Sequence, residues 1–357
     1  MSTVTDSECA TGGPIEVKRE GILLKKTDLL FENEGVLNPA VYQDGDSVHM
    51  FYRAVHQGNH STIGYCLFDG PLKLIKRHEE PLLSPEFDYD SHGVEDPRMV
   101  KIDDTFYLSY SGYDGVNAMG CLATSQDMKT FERHGIIVPK FTFQEFKRLA
   151  ECRGPLNDKY ARYAHDHLLE RDGKKVLLWD KNVIFFPRRI NGKLTFLHRI
   201  RPDIQLVMVE NLNELNDEFW VHYFLNFESH ILLKPHCDHE ISYIGGGCPP
   251  IETKEGWLVI YHGVHDSTQG YVYSACAALL DLEDPMKVIG RLPYALLSPE
   301  KKWETVGYVN NVVFPTGTSL FGNTLYIYYG AADEQIACAS LQLDQLLAEL
   351  LAHPENH

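Results

Sequence analysis

The sequence of 357 residues predicts an all-β fold, a five-bladed β-propeller that forms a single domain over residues 1–357. Two observations predict it. Five similar segments follow one another along the chain, and each consists of two strand-like runs joined by a polar turn, as in radially repeated β structures. The segments contain prolines roughly 58 to 90 residues apart, at Pro39, Pro97, Pro187, Pro250 and Pro315.

The turns within the segments are typical of β-hairpins. Asp-Gly, Asn-Gly and Gly-Asn pairs between apolar runs favour the tight turns that join antiparallel strands. They occur at 44–45, 191–192 and 322–323, and further strand-like runs fill the gaps at 61–68, 118–125, 203–209 and 271–280. Four strands in each of five segments predict blades from about residue 30 to 340. Two β-sandwiches in tandem are the alternative.

Two segments break this β pattern. Residues 143–171 are polar and partly helical in their spacing, which predicts a helical insert between blades 2 and 3. Long inserts often act as lids or contact elements, and a solvated surface helix is the alternative. Residues 341–352 have apolar side chains at helical spacing, which predicts a C-terminal helix packed on the outside of a blade.

The composition excludes several classes of partner. A formal net charge of −17 argues against nucleic acid, because a phosphate backbone requires a basic surface. No apolar run approaches the ~20 residues of a membrane helix, and the N-terminus lacks the features of a secretion signal. The eight cysteines include no Cys-X-X-Cys pair, which is typical of a reduced protein. We therefore predict a cytoplasmic protein that binds neither nucleic acid nor membrane.

The densest polar cluster is Glu95-Asp96-Pro97-Arg98, at the start of the second segment. Neighbouring side chains of a strand point to opposite faces. We therefore expect one carboxylate to face a central cavity and the other to brace the blade. A structural ion pair between Asp96 and Arg98 is the alternative.

A second set of polar residues is mainly basic. Arg53, Arg199 and His262 lie near the ends of the first, third and fourth segments, and Lys181-Asn182 precedes the third. If the segments superpose, these cations, with His262 counted among them, meet at one mouth of the central channel. A cationic cluster in so acidic a chain indicates an anionic ligand, and arginine and lysine suit phosphate.

Two histidine-containing runs, 165–167 and 235–240, resemble fragments of metal sites. Neither has a second pair of ligands at the spacing of a zinc site. The motifs GxSxG, HExxH and GxGxxG do not occur in the sequence. We therefore predict no metal and no cofactor.

The residues resemble glycoside hydrolase family 130, the mannoside phosphorylases and their relatives. The resemblance extends from about residue 35 to 340 and consists of short matches in sequence order. They include Asn38-Pro39, Tyr52-Arg53-Ala54, Glu95-Asp96-Pro97-Arg98, Asn182-Val183-Ile184, Tyr261-His262-Gly263-Val264, Gly270-Tyr271-Val272-Tyr273 and Tyr328-Tyr329-Gly330-Ala331-Ala332-Asp333. Such a series is far more specific than a single motif.

The resemblance implies an enzyme that cleaves a β-mannosidic bond in a di- or oligosaccharide with inorganic phosphate as co-substrate. The reaction inverts the configuration to α-mannose 1-phosphate, and Asp96 matches the general acid. The residues that the resemblance assigns to the mannoside are Asn38, Arg53 and Asp333, and we also predict that Glu95 and Arg98, beside the acid, bind the substrate. The residues assigned to phosphate are Lys181, Asn182, Arg199, His262 and Tyr273.

Phosphorolysis also fits the residues themselves. An inverting hydrolase requires a second carboxylate to activate water, whereas phosphate is already an anionic nucleophile. Asp96 must then keep a proton, and we expect burial near Glu95 to raise its pKa. A β-mannosidase on the same scaffold and a non-catalytic glycan-binding propeller are the alternatives.

Members of the family often assemble, so a homo-oligomer is an option, with the insert and the terminal helix as candidate contacts.

Overall fold

The computed structural model describes residues 15–163, 170–268 and 270–355, and antiparallel strands are its main element. Apart from one two-stranded pair at 170–175, the strands form five groups, which we call units 1 to 5 in chain order. None of the helices in these ranges has the length and apolarity that a membrane crossing requires.

Units 1 and 2 follow the first strand, β1 (Lys18–Leu24), and are joined by a single parallel bridge between Ser61 and Gly93. Unit 1 contains β2 (Gly35–Asp44), β3 (Ser47–His56), β4 (His60–Asp69) and β5 (Lys73–Arg77). Unit 2 contains β6 (Gly93–Ile102), β7 (Thr105–Tyr113), β8 (Ala118–Ser125) and β9 (Glu132–Ile136). The strands predicted at 61–68 and 118–125 are confirmed as β4 and β8.

The insert contains α1 (Phe143–Ala150), α2 (Lys159–Arg162), β10 (Glu170–Arg171) and β11 (Lys174–Lys175). Helix α1 begins after Thr142, whose hydroxyl accepts from the backbone N–H of Glu145. Phe146 is buried, with ring centroids 5.0 Å from Phe224 and 4.9 Å from Phe227. Helix α1 is therefore a surface helix that packs on the core through one face, while Arg148 on its other face is exposed. The run 165–167 lies outside the described residues.

Unit 3 contains β12 (Lys181–Phe185), β13 (Leu194–Arg199), β14 (Ile204–Val209) and β15 (Ile231–Leu233). Between β14 and β15 lies α3 (Asp217–Leu225), which was not expected from the sequence. Asn216 accepts from the backbone N–H of Phe219 and so caps the helix, while Trp220, Tyr223 and Phe224 are buried at helical spacing. The aromatic content of this segment suits a strand equally well, so the cap and the spacing were the only local signs of a helix.

Unit 4 contains β16 (Tyr243–Gly246), β17 (Ile251–Thr253), β18 (Gly256–Ser267), β19 (Gly270–Leu280) and β20 (Val288–Arg291). After α4 (Lys302–Thr305), unit 5 contains β21 (Val313–Phe321), β22 (Thr324–Ala331) and β23 (Gln335–Gln342). Strand β1 pairs with β23 as the fourth strand of unit 5, so both ends of the described chain meet in one sheet. The predicted C-terminal helix is confirmed as α5 (Leu343–Ala352).

The apolar core lies between consecutive units. Separate clusters join units 1 and 2, units 2 and 3 with the insert, units 3 and 4, and units 4 and 5 with α5. A further cluster joins unit 5 to unit 1, where Tyr328 and Ile336 share a core with Val36 and Met50. Each unit therefore packs against the unit before it and the unit after it.

The units also repeat a buried polar network. In unit 4, Glu240 accepts from the Tyr261 hydroxyl at 3.1 Å and from Nη2 of Arg291 at 2.9 Å. The corresponding sets are Glu32, Tyr52 and Arg77; Asp90, Tyr110 and Arg133; Glu304, Tyr329 and Arg19; and, in unit 3, Asp180, His198 and Tyr223. A carboxylate buried from water requires such partners. The same kind of buried hydrogen-bond network therefore occurs at the corresponding position of each unit.

The first strands of units 1, 2 and 3 carry a bulge at the same place. The pairing register shifts across Asn38, Asp96 and Asn182. These residues have left-handed backbone, with φ of 49°, 49° and 55°. A bulge re-aims a side chain and interrupts the alternation of a strand. Three polar side chains are therefore turned out of their strands in the same way.

A proline follows the bulge residue in units 1 and 2 but not in unit 3. Pro39 and Pro97 directly follow a bulge residue, whereas Val183 has the same place in unit 3 and Pro187 lies beyond the end of β12. Pro187 is therefore not equivalent to Pro39 and Pro97. The physical reason is that the left-handed residue forms the bulge, and the residue after it need not be proline.

Candidate active site

Asp96 lies where units 1, 2 and 5 meet. Its Oδ1 atom accepts a hydrogen bond of 2.7 Å from Nδ2 of Asn38 and lies 3.6 Å from Nη1 of Arg53. Only 9% of its side chain is exposed. Gly330 of unit 5 leaves room for Asn38, because a Cβ atom on Gly330 would lie 2.1 Å from Oδ1 of Asn38.

Glu95 contacts the same arginine. Its Oε1 atom lies 2.8 Å from Nη2 of Arg53, and its Oε2 atom lies 3.7 Å from Nζ of Lys181. The expectation that Glu95 and Asp96 point to opposite faces is therefore wrong. The bulge at Asp96 breaks the alternation, so both carboxylates reach Arg53. Glu95 also links Arg53 of unit 1 to Lys181 of unit 3.

The charges around Asp96 decide its protonation. Burial alone would raise the pKa of this carboxyl, but Arg53, Lys181 and the hydrogen bond from Asn38 favour the carboxylate and lower the pKa to about 2. The expectation that burial near Glu95 raises this pKa is wrong. Asp96 is therefore ionised at neutral pH before any ligand binds.

For Asp333, on the turn after β22, the effect of burial on the pKa outweighs that of the neighbouring positive charges. Burial raises the pKa of its carboxyl to about 6, opposed by Arg53 and assisted by the charge of Asp96. Ala332 and Asp333 both have left-handed backbone, with φ of 49° and 51°, which forms the tight turn. Asp96 is therefore ionised at neutral pH, whereas Asp333 takes up a proton slightly below neutral pH.

Arg98 supports the bulge. It is 2% exposed, and its Nη1 atom donates to the main-chain oxygens of Asp96 at 3.0 Å and Pro97 at 2.9 Å, while Nε donates to that of Gly247. Burial lowers its pKa to about 10. The alternative of an ion pair with the Asp96 carboxylate is wrong, because the guanidinium donates to main-chain oxygens. Its assignment to substrate binding stays a prediction, and its Nη2 atom has no partner among the described residues.

Units 3 and 4 bring together the residues predicted to bind phosphate. Lys181 and Arg199 face each other in the β12–β13 pair. Nη1 of Arg199 lies 3.3 Å from Nε2 of His262, whose ring centroid lies 6.1 Å from that of Tyr273. Asn182 follows Lys181 at the bulge, and its Oδ1 atom is buried without a hydrogen-bond partner in the described part of the chain. These residues form one cluster, which we call the phosphate cluster.

His262 contributes no positive charge to the phosphate cluster. Burial lowers its pKa well below the ordinary range, and Arg199 and Arg98 lower it further. A neutral imidazole has one nitrogen that accepts, so Nε2 accepts from Nη1 of Arg199. The interpretation of His262 as one of the cations is therefore wrong. The positive charge comes from lysine and arginine, and His262 orients Arg199.

Two residues of this region were missed in the sequence, Arg201 and Tyr243. The guanidinium carbon of Arg201 lies 4.3 Å from the ring centroid of Tyr243. The Tyr243 hydroxyl forms a hydrogen bond with that of Tyr273. No local signal marked them, because Arg201 lies on the turn after β13 and its contact with Tyr243 depends on a distant part of the chain.

A cavity of about 570 Å³ lies beside Arg53 and Asp333, within the size range of small-molecule sites. Its wall also includes Glu34, Gly35, Leu37, Val55, Gly58, Asn59 and Tyr308. A larger cavity of about 660 Å³ lies between the insert and unit 3, and no residue of the Asp96 site or the phosphate cluster lines it. We therefore place the candidate active site at the first cavity.

The run 235–240 serves the fold. His239, Glu240 and Cys276 have potential ligand atoms within 4.8 Å of one another. Glu240, however, already accepts from Arg291, from Tyr261 and from two backbone N–H groups. A guanidinium at this carboxylate opposes a metal cation by charge repulsion. Glu240 is therefore a structural acceptor of unit 4.

The chain is similar to characterised proteins over nearly its whole length. The family model described as beta-1,4-mannooligosaccharide phosphorylase matches residues 24–351. The 1,2-beta-oligomannan phosphorylase of Thermoanaerobacter sp. (strain X514) is 32% identical over 346 residues, covering 93% of this chain and 99% of the relative. The beta-1,2-mannobiose phosphorylase of that strain is 30% identical over 332 residues, covering 88% of this chain and 93% of the relative. The solved structure of beta-1,2-mannobiose phosphorylase from Listeria innocua with beta-1,2-mannobiose has a similar fold, with a TM-score of 0.70 and 22% identity over 95% of this chain and 100% of the other.

Proposed function

This chain belongs to glycoside hydrolase family 130, and on that basis we propose that it is a β-mannoside phosphorylase. It cleaves the β-mannosidic bond of a mannose-containing di- or oligosaccharide with inorganic phosphate. The products are α-mannose 1-phosphate and the released sugar. The names of the relatives and the geometry of the site support this function.

The observation that carries the proposal is a buried arginine without an acidic partner. Arg199 is 6% exposed, its Nε atom has no hydrogen-bond partner, and no carboxylate of the described residues forms an ion pair with it. Arg53, by contrast, pairs with Glu95 and Asp96. A buried unpaired charge is costly. In a chain with 50 acidic and 33 basic residues, such a cation indicates an anionic ligand, and phosphate is that anion.

The reaction requires an acid but no base. An oxygen of the phosphate, held near Lys181 and Arg199, attacks C1 of the mannosyl residue on the face opposite the leaving group and so inverts the configuration. The bond from C1 to the glycosidic oxygen breaks, and Asp96 protonates that oxygen. With HPO₄²⁻ as the nucleophile, the phosphate proton then restores the acid. The net reaction moves one proton from phosphate to the released sugar.

Asp96 must gain a proton before it acts as an acid. Its low pKa depends on the positive charges of Arg53 and Lys181. A phosphate dianion beside Lys181 offsets that charge and raises the pKa. Asp333, with a pKa of about 6, supplies a second protonatable carboxyl in the same region.

The mannosyl residue occupies the cavity beside Arg53 and Asp333. Asn38 and Arg53 hold the acid and present donors to the sugar hydroxyls. Glu95 contributes indirectly, because its two oxygens fix Arg53 and Lys181.

For the linkage we propose β-1,2. Two relatives that match over 88% or more of both chains are named for β-1,2-linked mannan and mannobiose. A relative named for β-1,4-mannooligosaccharides, from Ruminococcus albus, matches over 72% of this chain and 65% of its own length.

A cytoplasmic location and a reaction without metal or cofactor remain predictions from the sequence.

We also propose that the five units are the blades of one propeller, closed by β1. The core clusters support this arrangement, because they join each unit to the next and unit 5 to unit 1. Bulges and turns of different units also contribute to one site, as expected where blades meet at a central channel.

The experiment is a phosphate-dependence assay. The purified protein is incubated with β-1,2-mannobiose or β-1,4-mannobiose, with and without phosphate, and mannose 1-phosphate is separated from free mannose. We expect mannose 1-phosphate only with phosphate present and faster turnover of the β-1,2 substrate. Release of mannose without phosphate identifies a hydrolase and overturns the proposal. No turnover of any β-mannoside supports the glycan-binding alternative.

A further inference from the structure

Arg199 and Arg201 share one tyrosine ring. Arg201 lies on the turn between β13 and β14 and is partly exposed. Its guanidinium carbon lies 4.3 Å from the ring centroid of Tyr243, and that of Arg199 lies 5.6 Å from the same centroid. Cation–π attraction holds each guanidinium at the ring. The two cations are therefore kept close together by one aromatic side chain.

The ring of Tyr243 is itself fixed. Its hydroxyl bonds to that of Tyr273, a member of the phosphate cluster. Its ring packs edge-to-face against Tyr163 of the insert at 5.4 Å and against Tyr271 at 5.7 Å. Tyr243 therefore provides a rigid support that positions Arg201 beside the phosphate cluster.

Neither arginine of this pair has a counter-charge. Three other arginines with largely buried side chains do, in the pairs Arg53–Glu95, Arg133–Asp90 and Arg291–Glu240, and the buried Arg98 donates to main-chain oxygens instead. In the ranges that the structure describes, no carboxylate forms an ion pair with Arg199 or Arg201, and the only side-chain hydrogen bond of the pair joins Arg199 to His262. Burial and the neighbouring Arg201 lower the pKa of Arg199 to about 10. Adjacent cations repel each other unless an anion binds between them.

We propose that Arg201 binds the transferred phosphoryl group together with Arg199, as the second arm of a two-arginine clamp. This inference rests on the phosphorylase function proposed above. The ligand is inorganic phosphate in the forward direction and the phosphoryl group of mannose 1-phosphate in the reverse direction. A guanidinium presents paired N–H donors that match two phosphate oxygens, so two of them neutralise both charges of the dianion.

The first test measures inorganic phosphate binding alone, by isothermal titration calorimetry. The variants are Arg201→Gln, which removes the charge, and Arg201→Lys, which keeps the charge but loses the paired N–H donors of the guanidinium. Arg148→Gln, an exposed position on α1, is the matched control. We expect Arg201→Gln to bind phosphate about 10- to 100-fold more weakly, and Arg201→Lys to be intermediate. Unchanged phosphate affinity of Arg201→Gln overturns the proposal.

The second test uses steady-state kinetics in both directions. For Arg201→Gln we expect KM for phosphate and KM for mannose 1-phosphate to rise by similar factors, while KM for the β-mannoside stays near the wild-type value. An equal rise in KM for the mannoside indicates a merely structural role and contradicts the clamp.

The experiments can refute the arginine clamp and the phosphorylase function independently of each other. If the wild type binds phosphate through Arg201 but cleaves no β-mannoside, the clamp stands and the phosphorylase function is wrong. If the wild type cleaves β-mannosides with phosphate and Arg201→Gln does so with unchanged constants, the function stands and the clamp is wrong. A wild type that binds no phosphate refutes both.

Discussion

Nδ2 of Asn38 donates to Oδ1 of Asp96 across 2.7 Å, and the two residues have the same bulge position in neighbouring units. Both have φ of 49°, a backbone region that Asn and Asp tolerate better than other side chains apart from glycine. The repeated bulge therefore turns one polar side chain out of each strand. In this pair, the side chain from one unit helps the larger effects of Arg53 and Lys181 to keep the side chain from the next unit ionised.

The first prediction concerns Asp96 as the acid. Asp96→Asn cannot donate a carboxyl proton, so we expect kcat to fall by about 10²- to 10⁴-fold in both phosphorolysis and synthesis. Inorganic phosphate should bind at least as tightly, because a negative charge near the phosphate cluster is removed. Turnover is measured by mannose 1-phosphate formation and binding by calorimetry. Activity near the wild-type level would rule out Asp96 as the acid.

The second prediction separates the side chain of Asn38 from its backbone. Asn38→Ala and Asn38→Gly both lose the hydrogen bond to Asp96, so we expect both to be impaired in turnover. Only the alanine is strained at φ of 49°, so Asn38→Ala should be less stable than Asn38→Gly by about 1 kcal/mol. Urea unfolding gives the difference. If the two variants are equally stable, the left-handed backbone imposes no cost at this site.

The third prediction concerns Asp333 and pH. Its pKa of about 6 in the folded protein lies above the ordinary value of 3.8, so the unfolded chain releases this proton at lower pH. The wild type therefore loses stability from this group as pH rises from about 4 through 6. Asp333→Asn removes that loss, and we expect it to be more stable than the wild type by about 2 kcal/mol at pH 7.5 but little different at pH 4.

The measurement is urea unfolding of the wild type and Asp333→Asn at both pH values. A stability difference that is the same at pH 4 and pH 7.5 would show that Asp333 does not titrate in this window.

The pH dependence of stability that Asp96 contributes has the opposite sign, because the pKa of Asp96, about 2, lies below the ordinary value of 3.8. Asp96 stabilises the fold above that value, and this contribution is lost as pH falls toward 2.

The fourth prediction tests the repeated buried network. Glu240→Gln leaves the buried Arg291 with only the more distant and more exposed Glu355 as counter-charge, so we expect a loss of about 3 kcal/mol in the free energy of unfolding. Glu228→Gln is the matched control, because Glu228 pairs with Lys234 at the surface and is 75% exposed. Exposed pairs contribute about 0–1 kcal/mol. Equal losses in the two variants would contradict a special role for the network.

Much of the fold was predictable because its signals are local. The hairpin turn at Asn191-Gly192 joins Ile190 to Lys193, as the residue types demand. Strands β4 and β8 and helix α5 follow their apolar spacing. Helix α3 was missed because its aromatic residues also suit a strand, and burial against the insert decided between the two.

Much of the site was predictable as well. Asp96, Arg53 and Lys181 come together because Glu95, the neighbour of Asp96, contacts both cations. Arg201 was missed because its importance depends on Tyr243, which lies 42 positions further along the chain and supports its guanidinium. No local pattern indicates such a contact.

By itself, the sequence determined the β architecture, the repeat and the identity of the polar residues that meet in the site. Only the tertiary structure decided how these residues are charged and which of them touch. Asp96 is ionised, Asp333 takes up a proton near pH 6, and His262 is neutral. The physical reason is distance. Turn and strand preferences depend on neighbouring residues, whereas a pKa depends on burial and on charges within a few ångströms that arrive from other units.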